Sequence, residues 1–319
     1  MEFDVLVTGC GGFLGSWVAE RLVQDGLRVV GIDFFTDNYP REIKENNLKN
    51  LSGNPSFQLI EKDLAHLSID DLKNKKIAHV IHLAAQPGVR DSWGPDFVKY
   101  IHNNVHATQN LLEVLIRINS FKRLIYASSS SVYGEPPHEA KEQAIKETSL
   151  TNPYSPYGVT KLTAEKLCQA YSANYGFELV SLRFFTVYGP RQRPDMAFSR
   201  FIRKAIRGEP IVIYGDGSQK RDFTFVEDAI EAVILSLKKG SGVYNVGRGK
   251  TVPLKEALNV LRDHFPELKV AFEPKQKGDV SFTWADISKI QAELGYSPKV
   301  DLQEGLERQI QWIRSNGFS

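Results

Sequence analysis

The 319-residue sequence predicts an α/β fold: a doubly wound parallel sheet covered by helices on both faces, with a smaller mixed α/β lobe interleaved into it. Two observations support this prediction. From the N-terminus to about residue 183, short runs rich in β-branched residues alternate with helical stretches, which is typical of a parallel sheet. After Gly189 the sequence mixes Pro, Arg and Asp with short strand-like pieces, and this change indicates a second lobe.

The predicted elements follow one another from the N-terminus. The strand candidates are residues 3–8, 27–33, 57–61, 78–83, 123–127, 178–183 and 243–246. The helix candidates are residues 14–25, 96–119, 156–175, 197–207, 226–238 and 302–314. We expect the sheet domain to comprise residues 1–188 plus about 225–247, and the smaller lobe to comprise about 189–224 plus 248–319.

Composition and charge exclude several classes of protein. Apolar residues make up 42% of the chain and charged residues 24%, as in an ordinary globular protein with a sizeable core. The net charge of +2 gives no broadly basic surface for nucleic acid, and no apolar run approaches the roughly 20 residues that span a bilayer. Residues 1–4 lack the basic start of a secretion signal, and Cys10 and Cys168 lack the spacing of a metal site or redox pair. We therefore expect a cytoplasmic protein without a metal, whose partner is neither nucleic acid nor membrane.

Three glycines follow the first predicted strand. Gly9, Gly12 and Gly15 have the spacing G-x-x-G-x-x-G, and Phe13 and Leu14 begin the helical pattern between them. Such a turn lets the backbone approach a pyrophosphate closely and points a helix N-terminus at the anion. The spacing alone is weak evidence, since glycines also punctuate ordinary turns. With a strand before it and a helix after it, the turn predicts a Rossmann-type dinucleotide site.

Asp33 ends the second predicted strand. A carboxylate at this position can accept hydrogen bonds from an adenosine ribose and repels a 2′-phosphate, so it favours NAD over NADP. His82 is expected to be a packed strand residue and not a base. The positions past the third and fourth strands that we expect to contact the dinucleotide are Asp63, Leu64, Leu83, Ala84 and Ala85.

A tyrosine and a lysine stand one helical turn apart in the segment Y-G-V-T-K. Tyr157 and Lys161 therefore share a helical face, and a serine cluster at residues 128–131 ends the fifth predicted strand. An ammonium beside a phenol favours the phenolate and lowers its pKa from about 10. The pair is common by itself, but together with the glycine turn it predicts a phenol that takes a hydroxyl proton while hydride leaves the same carbon.

The order of the motifs H-L-A-A, S-S-V-Y-G, Y-G-V-T-K and R-F-F-T-V-Y-G-P-R resembles the extended short-chain dehydrogenase/reductase family over essentially the whole chain. Among its members the nucleotide-sugar epimerases are the most similar, particularly the UDP-glucuronate 4-epimerases, through residues 189–198 and 284–289. The resemblance implies NAD as cofactor, a UDP-sugar substrate, and a homodimer formed through helices near 96–118 and 156–175.

The resemblance also assigns residues. It implies catalysis by Ser129, Tyr157 and Lys161, and it places Asn104 near the cofactor. For the UDP-sugar it implies a phosphate contact from Arg221, a uracil site at Val212 and Tyr214, and a diphosphate or sugar contact from Arg90.

The reaction depends on the two residues after Ser129. Dehydratases of the family carry Asp-Glu there, and decarboxylases carry Glu at the second position, whereas this chain has Ser130 and Ser131. Epimerisation at C4 through a transient 4-keto sugar needs no such acid and is therefore favoured. The alternatives that remain open are a UDP-glucose/UDP-galactose 4-epimerase, a UDP-glucuronate decarboxylase, a net oxidoreductase, and a relative that binds the cofactor without catalysis.

Three hydroxyls distinguish a glucuronate from a glucose substrate. Thr186 stands where galactose epimerases commonly have Asn, and its hydroxyl, with those of Ser130 and Ser131, could hold a C6 carboxylate. Neutral hydrogen bonds would keep the C5–carboxylate bond out of alignment with the π system of the C4 carbonyl, the geometry in which CO₂ is lost.

One departure from the family concerns a second phosphate arginine. Its position is taken by Gln276, so the charge is expected from Lys275 or Lys277, or from Arg191 or Arg193. Arg193 is kept as a candidate substrate residue.

Overall fold

The computed structural model describes residues 4–135 and 143–316. Its strands are β1 Asp4–Thr8, β2 Arg28–Asp33, β3 Phe57–Glu61, β4 Ile77–His82, β5 Arg123–Ser129, β6 Glu178–Phe184, β7 Thr186–Tyr188, β8 Ile211–Tyr214, β9 Lys220–Arg221, β10 Phe223–Phe225, β11 Gly242–Val246, β12 Val252–Pro253 and β13 Val270–Glu273. Its α-helices are α1 Phe13–Gln24, α2 Arg41–Asn47, α3 Phe97–Tyr100, α4 Ala107–Leu115, α5 Pro156–Tyr175, α6 Ala197–Ile206, α7 Val226–Lys238, α8 Leu254–His264, α9 Ser288–Leu294 and α10 Leu302–Ser315.

Seven parallel strands form the central sheet in the order β11-β6-β5-β4-β1-β2-β3. The chain reverses its direction of winding between β1 and β4, and ligands of such sheets bind in the crevice at this switch point. The register pairs Thr8 at the end of β1 with Ile32 on one side and His82 on the other. The carboxyl ends of the neighbouring strands therefore meet at one edge of the sheet. This is the predicted Rossmann-type fold.

The inner strands of the sheet are buried on both faces because helices cover each side, whereas the edge strand β3 is partly exposed. The first hydrophobic cluster includes Val5, Val7 and Ile81, and the second includes Leu6 and Val80, so alternate residues of one strand enter different layers. This continuous burial is the reason that the strands read as apolar runs and not as alternating patterns.

The remaining strands form two-stranded pieces outside the central sheet. The pairs are β7 with β10, β9 with β12, and β8 with β13. Strand β7 follows β6 directly but leaves the sheet to pair with β10, so Thr186 lies opposite Phe223. Among the described helices, none combines the length and the apolar character that crossing a membrane would need.

Most predicted elements are confirmed, and the differences are local. The predicted helix 96–119 is interrupted by a π-helical turn, Ile101–His106, and ends at Leu115. Helices α2, α8 and α9 were not predicted, although α8 has a regular apolar stripe. Phe3, the first residue of the first predicted strand, lies outside the described residues.

Candidate active site

The glycine turn closes tightly over the start of α1. Gly9 has φ of 70° and donates its N–H to the Ile32 carbonyl at 2.7 Å. A Cβ on Gly15 would lie 2.7 Å from the Gly9 carbonyl carbon, so the turn and the helix touch backbone to backbone. No side chain caps the helix at Gly12, which leaves an N-terminus that can receive an anion.

A cavity of about 290 Å³ opens at this edge of the sheet. The predicted cofactor and catalytic residues that line it are Gly9, Gly12, Phe13, Leu14, Gly15, Asp33, Asp63, Leu64, Leu83, Ala84, Ala85, Ser129, Tyr157 and Lys161. We call this space the cofactor cavity.

Asp33 is held rigidly at the wall of the cofactor cavity. One carboxylate oxygen accepts the Gly11 N–H at 2.9 Å, and the other accepts the Phe35 N–H at 2.8 Å. Each oxygen keeps a lone pair for a further donor, such as a ribose hydroxyl. The glycine turn and this fixed carboxylate together fit the pyrophosphate and the ribose of NAD.

Asn104 does not line the cofactor cavity. Its side chain is buried in the π-helical turn, where Oδ1 accepts the Gln86 N–H at 2.6 Å and Nδ2 donates to the Gln86 carbonyl at 3.1 Å. The same Nδ2 donates to the Thr160 hydroxyl at 2.9 Å. These contacts use the polar atoms of the amide internally, so Asn104 fixes the loop after β4, and Asn103 lines the cavity in its place.

His82 is a packed strand residue, as predicted. Its ring nitrogens lie 2.7 Å from the Thr8 hydroxyl and 2.9 Å from the Thr108 hydroxyl. Burial lowers its pKa to about 3, with a smaller contribution from the charge of Lys161. The imidazole is therefore neutral and is no candidate for the base.

Helix α5 brings Tyr157 to Ser129 by a close approach of two backbones. Ser155 caps the helix by accepting the Gly158 N–H at 3.1 Å. A Cβ on Gly158 would lie 2.5 Å from the Ser131 carbonyl oxygen, so a larger residue would push the helix away from the end of β5.

The expectation that Lys161 lowers the pKa of Tyr157 is wrong for this arrangement. Burial raises the pKa of Tyr157, and the groups that oppose this rise are the Ser129 hydroxyl and the Arg193 guanidinium. The Lys161 ammonium instead lies over the ring of Tyr126, 4.6 Å from its centroid. Burial also lowers the pKa of Lys161, to about 8.

A second cavity of about 440 Å³, the substrate cavity, adjoins the first. Met196 lines both, and β7 separates them, because Val187 faces the cofactor cavity and Thr186 the substrate cavity. The predicted substrate residues that line the substrate cavity are Arg90, Thr186, Val212, Tyr214 and Arg221. The two cavities lie side by side and could hold a dinucleotide beside a second ligand.

The two predicted arginines, Arg90 and Arg221, line the substrate cavity together with Arg200 and with three aspartates, Asp91, Asp195 and Asp279. The Arg90 guanidinium lies 4.2 Å from the ring centroid of Tyr214 and forms an ion pair with Asp279 at 2.8 Å. Arg221 donates to the Lys220 carbonyl at 2.9 Å and to the Val280 carbonyl at 2.5 Å. These contacts hold both guanidinium groups at the wall of the cavity, where an anionic ligand could pair with them in place of Asp279 or the carbonyls.

Ser130 and Ser131 line neither cavity. They form a short 3₁₀ turn after β5, and the Ser131 N–H donates to the Ser129 hydroxyl at 3.1 Å. Their place in the chain, directly beside Ser129, is the feature that keeps them as candidates for contact with the sugar.

The candidates for the second phosphate charge lie in different places. Gln276 is exposed and donates to the Pro274 carbonyl at 3.3 Å. Arg191 is paired with Glu20 at 2.8 Å, and Arg193 lines the cofactor cavity. Lys275 lines a smaller neighbouring cavity together with Arg221, so it is the candidate that the fold brings close to the predicted phosphate arginine.

One cation in the cofactor cavity, Lys44, could not be predicted from the sequence. Lys44, on α2, donates to the Thr36 carbonyl at 2.6 Å and to its hydroxyl at 3.0 Å. Burial lowers its pKa, while the charge of Asp33 opposes that effect. The polar sequence of α2 does not predict a helix, so nothing in the sequence placed this lysine beside Asp33.

Comparison with known proteins agrees with this geometry. Residues 5–247 match the NAD dependent epimerase/dehydratase family. The chain is 41% identical to the uncharacterized UDP-glucose epimerase YtcB of Bacillus subtilis (strain 168), with 98% of each chain covered. It is 37% identical to a UDP-glucuronate 4-epimerase of Thermodesulfobacterium geofontis (strain OPF15), over 98% of this chain and 96% of that one.

Comparison with solved structures also agrees with this geometry. The crystal structure of UDP-glucuronic acid 4-epimerase from Bacillus cereus, in complex with UDP-glucuronic acid and NAD, superposes with a TM-score of 0.93. It is 41% identical to this chain and covers 98% of it and 99% of its own length. The resemblance noted from the motifs is thereby confirmed, and the chain belongs to the NAD-dependent epimerase/dehydratase family.

Proposed function

We propose that the protein is an NAD-dependent 4-epimerase that interconverts UDP-glucuronate and UDP-galacturonate. The observation that carries the proposal is the position of Ser129, Tyr157 and Lys161 in the cofactor cavity, which adjoins a cavity lined by Arg90 and Arg221. Relatives named for this reaction, at 37% and 41% identity, support it.

The proposed chemistry is a proton transfer at the sugar O4 coupled to oxidation at C4. Tyr157 takes the O4 proton as base, and Ser129 hydrogen-bonds the same oxygen. NAD, when bound, accepts the C4 hydride and returns it. After the 4-keto sugar has rotated, Tyr157 gives the proton back, and the hydroxyl forms on the opposite face. No further acid is needed, which agrees with serine at positions 130 and 131.

The substrate test is to incubate the purified enzyme separately with UDP-glucuronate, UDP-glucose and UDP-xylose and to resolve the products. Formation of UDP-galacturonate alone supports the proposal. Turnover of UDP-glucose alone would favour the second candidate, a UDP-glucose 4-epimerase, which the name of the Bacillus subtilis relative suggests. A UDP-pentose product would indicate a decarboxylase, and stoichiometric release of reduced nicotinamide would indicate a net oxidoreductase.

A triple variant tests how the C6 carboxylate is held. We propose that the hydroxyls of Ser130, Ser131 and Thr186 bind it. In Ser130→Ala/Ser131→Ala/Thr186→Val we expect turnover of UDP-glucuronate to fall at least about tenfold and UDP-pentose to rise, since each hydrogen bond to a charged group is worth ~1.5–3 kcal/mol. Product chromatography measures both effects.

UDP-glucose, which lacks the carboxylate, is the internal control for this variant. Any slow turnover of UDP-glucose by the wild type should persist in the triple variant. If both glucuronate turnover and pentose formation stay at wild-type levels, the three hydroxyls do not hold the carboxylate.

We further propose that the enzyme is a homodimer that pairs through α3, the π-helical turn and α5. Val98 is 72% exposed, Ile101 42% and Val159 47%, a high exposure for apolar side chains on neighbouring helices. Light scattering should give twice the chain mass of 35.9 kDa. A monomeric mass would contradict this part of the proposal.

We propose the cytoplasm as the compartment and the predicted division as the domain organisation. The two cysteines, Cys10 and Cys168, are free and buried, which suits a reducing environment. The strands of the central sheet fall within residues 4–184 and 242–246, which supports a cofactor domain of residues 1–188 plus about 225–247.

A further inference from the structure

A buried ion pair lies behind the catalytic residues. Arg183 on β6 and Glu165 on α5 approach to 2.6 Å, with side chains that are 4% and 0% exposed. A second contact, from Nε of Arg183 to the same carboxylate, is 3.1 Å long, so the pair is bidentate. Removing two charges from water costs free energy, and such a pair is weak evidence for stability alone. Its location suggests a role in the reaction.

The pair touches both elements that carry catalytic groups. Glu165 follows Lys161 by one turn of α5 and accepts a hydrogen bond of 2.6 Å from the Ser128 hydroxyl. Ser128 directly precedes Ser129 on β5, and the sheet register pairs Ser128 with Arg183. The carboxylate therefore joins the helix of Tyr157 and Lys161 to the strand that ends at the catalytic serine.

The groups that face Lys161 from the sheet carry no charge at neutral pH. On β4, His82 is neutral because burial lowers its pKa to about 3. On β5, Tyr126 keeps its proton because burial raises its pKa well above the ordinary value. Neither residue can balance an ammonium.

The titratable groups on α5 differ in whether they carry a charge. Burial raises the pKa values of Cys168 and Tyr157, so the free thiol and the phenol stay protonated. Burial lowers the pKa of Lys161, and the two groups of this helix that oppose it are Cys168 and then Glu165. Because the Cys168 thiol stays protonated, Glu165 is the group of this pair that carries the negative charge. Arg193 acts on Tyr157 from the cavity side.

We propose that Glu165 is a positioning residue for the epimerisation: it is the counter-charge that keeps Lys161 an ammonium, and it fixes α5 to the end of β5. Arg183 binds the same carboxylate and sets how much of its charge reaches Lys161. This inference rests on the proposed function, in which Lys161 is one of the three proposed catalytic residues.

Two neutral variants test the charge in opposite directions. Glu165→Gln removes the anion and leaves the Arg183 cation, so the alkaline limb of the kcat/KM profile, expected near pH 8 for Lys161, should move to lower pH. Arg183→Gln leaves the anion to Lys161 alone, so the limb should move to higher pH. Each shift should be about one to two pH units for charges a helical turn apart. The double variant should return toward the wild-type profile.

A structural role alone would give a different result. Both single variants are expected to melt at lower temperature, and so is Glu20→Gln, which breaks the similarly buried Arg191–Glu20 pair but should leave the profile unshifted. Arg183→Lys keeps the cation, so the alkaline limb of its kcat/KM profile should lie at the wild-type pH. Shifts of the same sign in Glu165→Gln and Arg183→Gln, or no shift in either, would overturn the proposal.

Two further measurements test the charge of Lys161 and the positioning role of Glu165 separately. NMR titration of the Lys161 ¹⁵Nζ in the same variants reads its protonation directly, so it separates failure of this inference from failure of the proposed reaction. If a single variant does not fold, Ser128→Ala keeps the ion pair and removes the hydrogen bond that joins Glu165 to β5, and NAD content checks that the cavity wall is intact. Its kcat should fall several-fold with unchanged KM, and an unchanged kcat would overturn the positioning role.

Discussion

Tyr157→Phe is expected to lower kcat by about 10²–10⁴-fold, the usual contribution of a general acid–base group. The phenylalanine ring keeps the contacts of Tyr157 at the wall of the cofactor cavity and removes only the hydroxyl that would exchange a proton with O4. Initial rates with UDP-glucuronate measure the loss. NAD content, read from the absorbance of the denatured protein, should stay at the wild-type value.

Tyr154→Phe is the matched control, because Tyr154 stands three residues earlier, before α5 begins, and is 56% exposed. It should keep wild-type rates. If Tyr157→Phe retained a rate within about threefold of wild type, the base would have to be another group, and the proposed chemistry would be wrong.

The raised pKa of Tyr157 bears on how it becomes a base. Burial favours the protonated phenol, so positive charge must be brought to it before it can accept a proton. Arg193 supplies part of that charge in this structure, and Asp195 fixes the guanidinium with contacts of 3.0 and 2.8 Å. Arg193 is therefore placed to act on the phenol as well as on a ligand.

The sequence predicted the features that depend on local patterns. The seven strands of the sheet follow from apolar runs bounded by turns, and the helix 156–175 was predicted with the bounds that α5 has. The glycine turn and Asp33 could also be predicted, because a strand–turn–helix unit carries its own spacing. Local pattern was sufficient for each of these.

The sequence could not predict features that depend on side-chain direction or on distant pairs. The π-helical turn directs Asn104 to Gln86, and no residue pattern marks such a turn. Lys161 turns toward Tyr126 because of packing between α5 and β5. The pairing of Glu165 with Arg183 joins positions that only the folded sheet brings together.

Gly15→Ala is expected to abolish NAD retention and, with it, activity. An alanine Cβ would lie 2.7 Å from the Gly9 carbonyl carbon and 2.9 Å from the Cys10 Cα, and both are backbone atoms that cannot rotate away. Overpacking of this kind typically costs about 1–3 kcal/mol, and relief requires the turn to open away from α1. The helix N-terminus would then no longer face the pyrophosphate. Absorbance of the released nucleotide and a thermal melt measure the two effects.

Gly26→Ala, just after the same helix, is the control that separates crowding from the loss of a glycine. Gly26 has φ of 83°, so alanine is strained there, but its Cβ would meet no atom within 4 Å. This variant should therefore melt somewhat lower than wild type while it keeps a full complement of NAD. Equal NAD content in both variants would mean that close packing at Gly15 does not form the cofactor site, because the two differ mainly in what the added carbon touches.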